Sequence, residues 1–230
     1  MNTAQKIVKY CAMAFAFFLS VVICSAIAYA IVGIATATKL IETHSAVETK
    51  CESAEERCLQ INLAYSELII KKGDELKVDT KNDKVEVNED GKKLVITEKG
   101  RHLFEKFSDR DVVVYIPEDM EFEKVAIAGG AGSTRIESLR AKKLEVALGI
   151  GETRIEALET EDAKIDTGIG EVRIGLMSKA DEYEIHADKG IGEIRFNGRS
   201  VSDHSAIGNG SRKIKVDGGI GSIRIDTAED

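Results

Sequence analysis

Five arginines recur within a repeated Gly-x-Gly-x-x-Arg pattern in the second half of the chain. Four full copies occupy residues 149–155, 168–174, 190–196 and 219–225, and a degenerate copy occupies residues 130–136. Arginine side chains can bind carboxylate or phosphate groups, and glycine-rich turns can cradle phosphates. The pattern therefore raises the possibility of an anion site. The repeated arginines are Arg135, Arg154, Arg173, Arg195 and Arg224.

Two ligand-binding motifs that contain Gly-x-Gly do not fit this spacing. A dinucleotide-binding fingerprint needs a third glycine three residues after the second and a following helix, but the arginines occupy that position and strand-like residues follow. A calcium-binding nonapeptide repeat needs an aspartate column, whereas Thr153 and Val172 stand at the corresponding position. The sequence predicts neither a cofactor nor a metal site.

The repeat spacing predicts a β-solenoid. Successive arginines follow one another at about 20 residues, with a longer interval before Arg224, which suits one coil of short strands better than a helical repeat. Each arginine has apolar neighbours, so it points outward from a strand. Glycine at each corner reaches positive φ and lets successive backbones approach closely. The predicted corner residues are Gly149, Gly151, Gly168, Gly170, Gly190, Gly192, Gly219 and Gly221.

Stacked coils about 4.8 Å apart would align the arginines in a column. Glu152, Glu171 and Glu193 would form a second column two residues away on the same face. One interpretation is a solvated lattice of opposite charges that keeps the sheet soluble. The alternative is a basic strip that binds an anionic polymer or an acidic partner.

The segment 198–212 is longer than an ordinary corner and contains Asp203 and His204. These residues are adjacent in sequence, whereas a catalytic triad needs groups that converge from separate positions together with an oxyanion hole. We therefore expect no catalytic residues. Long loops on rigid scaffolds often bind ligands, so the segment is predicted to be an exposed recognition loop.

An uncharged segment, residues 10–38, precedes the repeats. It is long enough to cross a bilayer as a tilted helix. Lys6 and Lys9 on its amino-terminal side predict a cytoplasmic N-terminus and an extracytoplasmic C-terminal domain in a single-pass membrane protein. The alternative is a cleaved secretory signal, because small-x-small sites occur at 26–30, but apolar residues continue beyond them.

A polar stretch between the span and the repeats contains Cys51 and Cys58. Outside the cell, two such cysteines suggest a disulfide. Seven helical residues rise roughly 10 Å, which exceeds the ~7 Å limit on the Cα separation of a bridged pair. The helix must then break between the two cysteines, or they pair with another chain, or they stay free. The first possibility, an intramolecular loop, is favoured.

These features predict an all-β chain whose single sheet stacks into a β-solenoid resembling a parallel β-helix. It is organised as a cytoplasmic N-terminus (1–9), a transmembrane helix (10–38), a polar stalk (39–58), an irregular β cap (59–117), regular coils (118–227) and a tail (228–230). Residues 61–70 have the shape of a repeat whose glycines are replaced. The net charge of −8 argues against nucleic acid as a partner.

Three further segments carry a resemblance to a known family. Residues 90–96 read Asp-Gly-x-x-Leu-Val-Ile, residues 113–117 read Val-Val-Tyr-Ile-Pro, and Gly-x-Gly units separated by Ala-x-x-Leu follow. Over about residues 59–227 the chain resembles the bacterial putative-adhesin β-strand-repeat family, whose function is uncharacterised. The resemblance implies an extracytoplasmic β-repeat domain and brings no catalytic residues with it. The resemblance also permits a regulatory role, since members of that family resemble the extracytoplasmic portions of membrane proteins linked to envelope-stress regulation.

Two functions are consistent with these expectations. In the first, the solenoid binds or scaffolds an envelope polymer or surface ligand without enzymatic activity. In the second, it is an envelope-stress regulatory subunit that interacts with another membrane protein. Both assume that residues 10–38 contact the lipid bilayer.

Overall fold

The described part of the chain, residues 56–99 and 111–228 of a computed structural model, is almost entirely β-strand. None of these residues forms a helix that is long and apolar enough to cross a membrane. The predicted span at residues 10–38 lies outside the described residues. The strands are β1 (Cys58–Leu63), β2 (Glu67–Lys72), β3 (Lys77–Thr80), β4 (Val85–Asp90), β5 (Lys93–Glu98), β6 (Asp111–Ile116), β7 (Glu121–Ala131), β8 (Thr134–Ile136), β9 (Leu139–Ile150), β10 (Thr153–Leu176), β11 (Tyr183–Phe196), β12 (Arg199–Val201), β13 (Ser205–Ile207) and β14 (Arg212–Asp226).

The long strands pair in parallel and in register, as coils of a solenoid do. β7 pairs with β9, β9 with β10, β10 with β14, and β14 with β11. Equivalent repeat positions face one another, for example Leu144 with Ala163 and Ala163 with Ile214. The predicted solenoid-like, all-β architecture is confirmed.

In-out alternation along each coil builds the core. Thr153 and Ile155 are buried, and Arg154 between them is exposed. The same holds for Val172, Arg173 and Ile174, except that the arginine there is partly exposed. Aliphatic side chains at equivalent positions therefore stack inside the coils and remove apolar surface from water. The outward orientation predicted for the repeated arginines is confirmed.

The coils do not stack in the order of the sequence. β14 lies between β10 and β11, so the rung that contains Arg224 separates the rungs of Arg173 and Arg195. After β10, a short 3-10 turn at Ala180–Glu182 leads into β11 one layer further out, and the chain later returns to fill the gap. The long interval between Arg195 and Arg224 provides the length for this return.

Segment 198–212, predicted as an exposed recognition loop, runs along the free edge of the outermost coil. β12 pairs antiparallel with residues 194–196 of β11, and β13 pairs antiparallel with residues 185–187. At the other end, β3 and β4 pair antiparallel with β6 and β5. Antiparallel strands thus cover much of both ends, which discourages edge-to-edge association of coils.

The amino-terminal coil follows the repeat without its glycines. Leu63 of β1 pairs with Gly129, and Leu68 of β2 pairs with Thr134, so residues 64–67 lie against residues 130–133. This register agrees with the interpretation of residues 61–70 as an altered repeat. Cys58, at the start of β1, is buried and disulfide-bonded. Cys51 lies outside the described residues, so its pairing with Cys58 stays a prediction.

Two columns of glycine hold the coils at backbone contact. A Cβ added at Gly170 would overlap the carbonyl oxygen of Gly151, and one added at Gly221 would overlap that of Gly170. A Cβ added at Gly192 would overlap the carbonyl oxygen of Gly221. The glycine contacts therefore show the same non-sequential order of the coils. The preceding glycines form the second column, in the order Gly149, Gly168, Gly219 and Gly190.

We expect Gly170→Ala to lower the free energy of unfolding by more than about 4 kcal/mol or to prevent folding, because backbone rather than a movable side chain occupies the space. Gly91→Ala is the matched control, since Gly91 has a φ of +62° with no atom within 4 Å of an added Cβ. It should cost only about 1–2 kcal/mol for the left-handed backbone. Urea denaturation followed by circular dichroism measures both. Equal costs would mean that the coils do not touch at this corner.

Candidate functional site

A line of exposed isoleucines runs along the Gly-x-Gly corner. Ile150, Ile169, Ile220 and Ile191 occupy the x positions and are 48%, 49%, 49% and 70% exposed. Ile169 pairs with Ile150 on one side and with Ile220 on the other, and Ile220 pairs with Ile191. We call these four residues the isoleucine ladder. Large aliphatic side chains exposed in one continuous row mark an interaction surface more often than isolated ones do.

The ladder continues toward the amino-terminal end with other residues. Ala131 pairs with Ile150, and its backbone N–H donates to the carbonyl oxygen of Ala64 at 3.0 Å. The exposed Tyr65 follows Ala64 at the corner of the altered repeat. Within the described part of the chain, the last member of the apolar row at this end is therefore an aromatic ring that has a polar tip.

Carboxylates stand on both sides of the isoleucine ladder. Asp166, Asp217 and Asp188 pair with one another in register three residues before the isoleucines. Two residues after the isoleucines, Glu171 and Glu193 flank Ser222. The predicted glutamate column is therefore interrupted by a serine where β14 is inserted.

The five repeated arginines line up on the outer face, in the order Arg135, Arg154, Arg173, Arg224 and Arg195. Each lies within ion-pair distance of a carboxylate. Arg173 makes two bonds to Glu171, with Nε to Oε1 at 3.0 Å and Nη2 to Oε2 at 2.9 Å. These bonds lower the pKa of Glu171 and raise that of Arg173. The other pairs are Arg135 with Glu67, Arg154 with Glu156, Arg195 with Glu193 and Arg224 with Asp226.

A carboxylate terminates the corner at its amino-terminal end. Oε2 of Glu98 accepts hydrogen bonds from the backbone N–H groups of Ala64, Tyr65 and Ser66 at 2.7, 2.9 and 3.2 Å. Oε1 accepts from the Ser66 hydroxyl at 2.9 Å and from the Asn82 amide at 3.0 Å. Burial raises the pKa of Glu98, but these bonds together outweigh it, so the pKa lies below its usual value.

Asp203 and His204 lie at the opposite end of the corner, between β12 and β13. Oδ1 of Asp203 accepts from the backbone N–H of Lys189 at 2.9 Å, and this bond is the main reason why the pKa of Asp203 is lowered. Nδ1 of His204 lies 2.6 Å from Oδ1 of Asp188. The predicted site residues therefore form two groups, the arginine column along the face and the pair Asp203 and His204 at its end.

The sequence contains a signal for the isoleucine ladder. All four full repeats carry isoleucine between the two corner glycines. A turn alone does not require an apolar residue there, because polar residues suit exposed corners. The contact of His204 with Asp188 has no such signal, because it joins residues that are distant in sequence and depends on the path of β12.

Parallel coils, glycine corners and antiparallel end strands define a β-solenoid-like repeat domain. The chain belongs to the family described as Toastrack DUF4097, whose model matches residues 42–226. No curated protein matches the chain significantly.

Solved structures similar to this one include two bacterial proteins. A putative cell adhesion protein from Clostridium sporogenes has a TM-score of 0.58 and 19% sequence identity, over 78% of this chain and 96% of that chain. A putative adhesin from Bacteroides fragilis has a TM-score of 0.36 and 12% identity, over 74% of this chain and 92% of that chain. The likeness to the Clostridium protein concerns the fold.

We expect Glu98→Gln to lower the free energy of unfolding at neutral pH by about 1–3 kcal/mol, because charged acceptor bonds to three backbone N–H groups are weakened. A carboxyl whose pKa is depressed in the folded state stabilises it above the unfolded pKa of about 4.3. That contribution is lost as the pH falls through the folded pKa, so the difference between the two proteins should shrink in acid.

Glu89→Gln is the matched control, because Glu89 is an exposed glutamate on the neighbouring strand β4. Urea midpoints measured across an acid-to-neutral series distinguish the two variants. A difference between wild type and Glu98→Gln that did not change with pH would contradict the role of the charged carboxylate.

Proposed function

We propose that this chain is a non-enzymatic, adhesin-like binding module that recognises its partner along the isoleucine ladder. The observation that carries the proposal is the alignment of four exposed isoleucines at the corner where glycines flank each of them. The backbone contact between coils requires the glycines, but it does not require an apolar residue between them. Association with a partner would remove this aliphatic surface from water.

The charges beside the ladder favour a protein partner of defined chemistry. Rows of carboxylates lie on both sides of the isoleucines, interrupted by Ser222 on one side, and their ion-pair partners lie further out, as in the pairs Lys164 with Asp166 and Lys215 with Asp217. Lys189 is the basic residue closest to the ladder, two positions before Ile191. A complementary surface would present an aliphatic groove bordered by basic side chains. An anionic envelope polymer would have to displace the carboxylates from the arginines first.

The length of the row limits how such a partner engages it. From Tyr65 to Ile191 the row has six rungs, which is about 24 Å at roughly 4.8 Å per rung. That length matches about four turns of a helix. A row one side chain wide buries little area, so we expect a transient interaction rather than a permanent complex.

The proposed role agrees with what is said of similar proteins. The Clostridium neighbour is described as a putative cell adhesion protein. We propose that this chain also acts at a cell surface, held by residues 10–38 in the bilayer with its N-terminus in the cytoplasm. The uncharged character of that segment supports this placement.

We expect the double variant Ile169→Thr, Ile220→Thr to lose partner capture at least tenfold while the solenoid stays folded, because threonine keeps the strand preference and removes apolar surface. The measurement is crosslinking in intact cells of the producing organism with the full-length chain, followed by identification of the captured molecule. The matched variant Arg154→Gln, Arg173→Gln should retain capture of the same protein.

The opposite pattern of capture would contradict binding along the isoleucine ladder. If the arginine variant lost capture of wall polymer and the isoleucine variant did not, the arginine column would be the binding surface. Urea midpoints of both variants within the error of wild type exclude a folding defect as the cause.

A second candidate function rests on the uncharged segment 10–38. As an envelope-stress regulatory subunit, the chain would contact another membrane protein through that segment, and the solenoid would act as its sensor or scaffold. We expect replacement of residues 10–38 by an unrelated membrane anchor to abolish this regulation and the capture of that membrane protein. Full function with the unrelated anchor would rule this candidate out and leave adhesion.

A further inference from the structure

Three side chains with metal-ligating atoms meet at the free edge of the outermost coil. Asp188 belongs to β11, whereas Asp203 and His204 belong to the segment between β12 and β13. One ligand atom from each of the three lies within 4.8 Å of the others. The imidazole distinguishes this group from a cluster of carboxylates alone, because it adds a nitrogen donor that transition ions favour.

The hydrogen bond to Asp188 assigns the proton on His204. Its Nδ1 lies 2.6 Å from Oδ1 of Asp188, and because a carboxylate only accepts, the tautomer that makes this bond donates Nδ1–H. Nε2 then keeps its lone pair. Metal-binding histidines usually have this arrangement, in which a carboxylate on one ring nitrogen orients the other nitrogen toward the ion.

The lone pair of Nε2 has an oxygen as its neighbour. Oδ2 of Asp203 lies 3.6 Å from it, which is longer than a hydrogen bond. Two acceptor atoms at this separation can both bind one ion at the bond lengths of about 2.0–2.2 Å that zinc makes to nitrogen and oxygen.

The backbone holds both groups in place. Oδ1 of Asp203 accepts the Lys189 N–H at 2.9 Å, and Oδ2 is the oxygen that lies near Nε2 of His204. His204 has a φ of 57°, an uncommon conformation for a residue other than glycine. Its side chain is 77% exposed, so solvent reaches the remaining coordination positions.

We propose that Asp203 Oδ2 and His204 Nε2 bind a divalent transition ion of the zinc class, with Asp188 as the carboxylate that orients the imidazole. Water fills the remaining coordination positions, and a donor from a partner can replace it. A mixed nitrogen and oxygen donor set favours such an ion over calcium, which prefers oxygen ligands alone. Both ligands belong to the segment between β12 and β13, so the bound ion would fix the conformation of that segment, and the hydrogen bond from His204 to Asp188 would tie it to β11.

The test is isothermal titration of the tag-free, full-length chain, freed of metal by a chelator, with zinc, manganese and calcium salts. We expect one zinc ion per chain and at least tenfold weaker calcium binding. Asp203→Asn and His204→Ala should each abolish the zinc site. Asp188→Asn should weaken zinc binding about 10- to 100-fold, because it perturbs the orienting hydrogen bond.

His186→Ala is the matched control, because His186 lies on β11 beside one carboxylate, with Nε2 2.9 Å from Glu184 Oε1. Zinc binding should survive this change. Thermal unfolding gives a second readout, in which zinc at a hundredfold excess over its Kd should raise the Tm by about 5–10 °C. His204→Ala should show no such shift.

Three results would overturn the proposal. The first is absence of zinc binding to the wild type, which would leave His204 as an ion-pair partner of the two aspartates. The second is zinc binding that persists in His204→Ala or disappears in His186→Ala, which would place the ion elsewhere. The third is calcium binding as tight as zinc binding, which would exclude the nitrogen donor.

Discussion

Backbone contact at the glycine corner is the constraint on which the structure depends. Each coil turns where its glycine contacts a glycine carbonyl oxygen of the adjacent coil. A Cβ at Gly151, Gly170, Gly192 or Gly221 would overlap that oxygen. Only one register satisfies this contact along the whole column. The corner therefore sets the alignment of every other position, since a slip of one residue would also turn the inward side chains outward.

Because the coils stack in strict register, each repeated residue forms a column of equivalent side chains along the stack. The side chains in a column must therefore pack well against one another. Identical aliphatic residues facing inward pack well on one another, whereas identical charges in a column repel. The structure offsets the repulsion within each strand, where Arg173 pairs with Glu171 and Lys164 pairs with Asp166. Exposed pairs of this kind add little net stability. These ion pairs leave little net charge at any point of the outer face. The isoleucine ladder differs from the rest of that face because its side chains are apolar.

The sequence predicted features that repeat and missed those that depend on the path between repeats. Alternation around Arg154 and paired glycines indicate strands and corners, because period and backbone freedom are local properties. The altered repeat at residues 61–70 was recognisable for the same reason. The insertion of β14 between β10 and β11 was not, since the long interval before Arg224 allows several paths. The proximity of His204 to Asp188 follows from that path and was equally inaccessible.

The two ends of the stack explain why the corner stays accessible. One side chain, Glu98, accepts hydrogen bonds from the backbone N–H groups of the first described corner. At the last coil, β12 and β13 cover residues 194–196 and 185–187, and Asp203 accepts the backbone N–H of Lys189 between them. The antiparallel strands thus protect the strand edges on either side of the corner, and within residues 56–99 and 111–228 none of them pairs with the corner itself. Ile191, at the open end, is accordingly the most exposed member of the ladder. A partner can approach the isoleucines from the side or from that end without displacing any of the described strands.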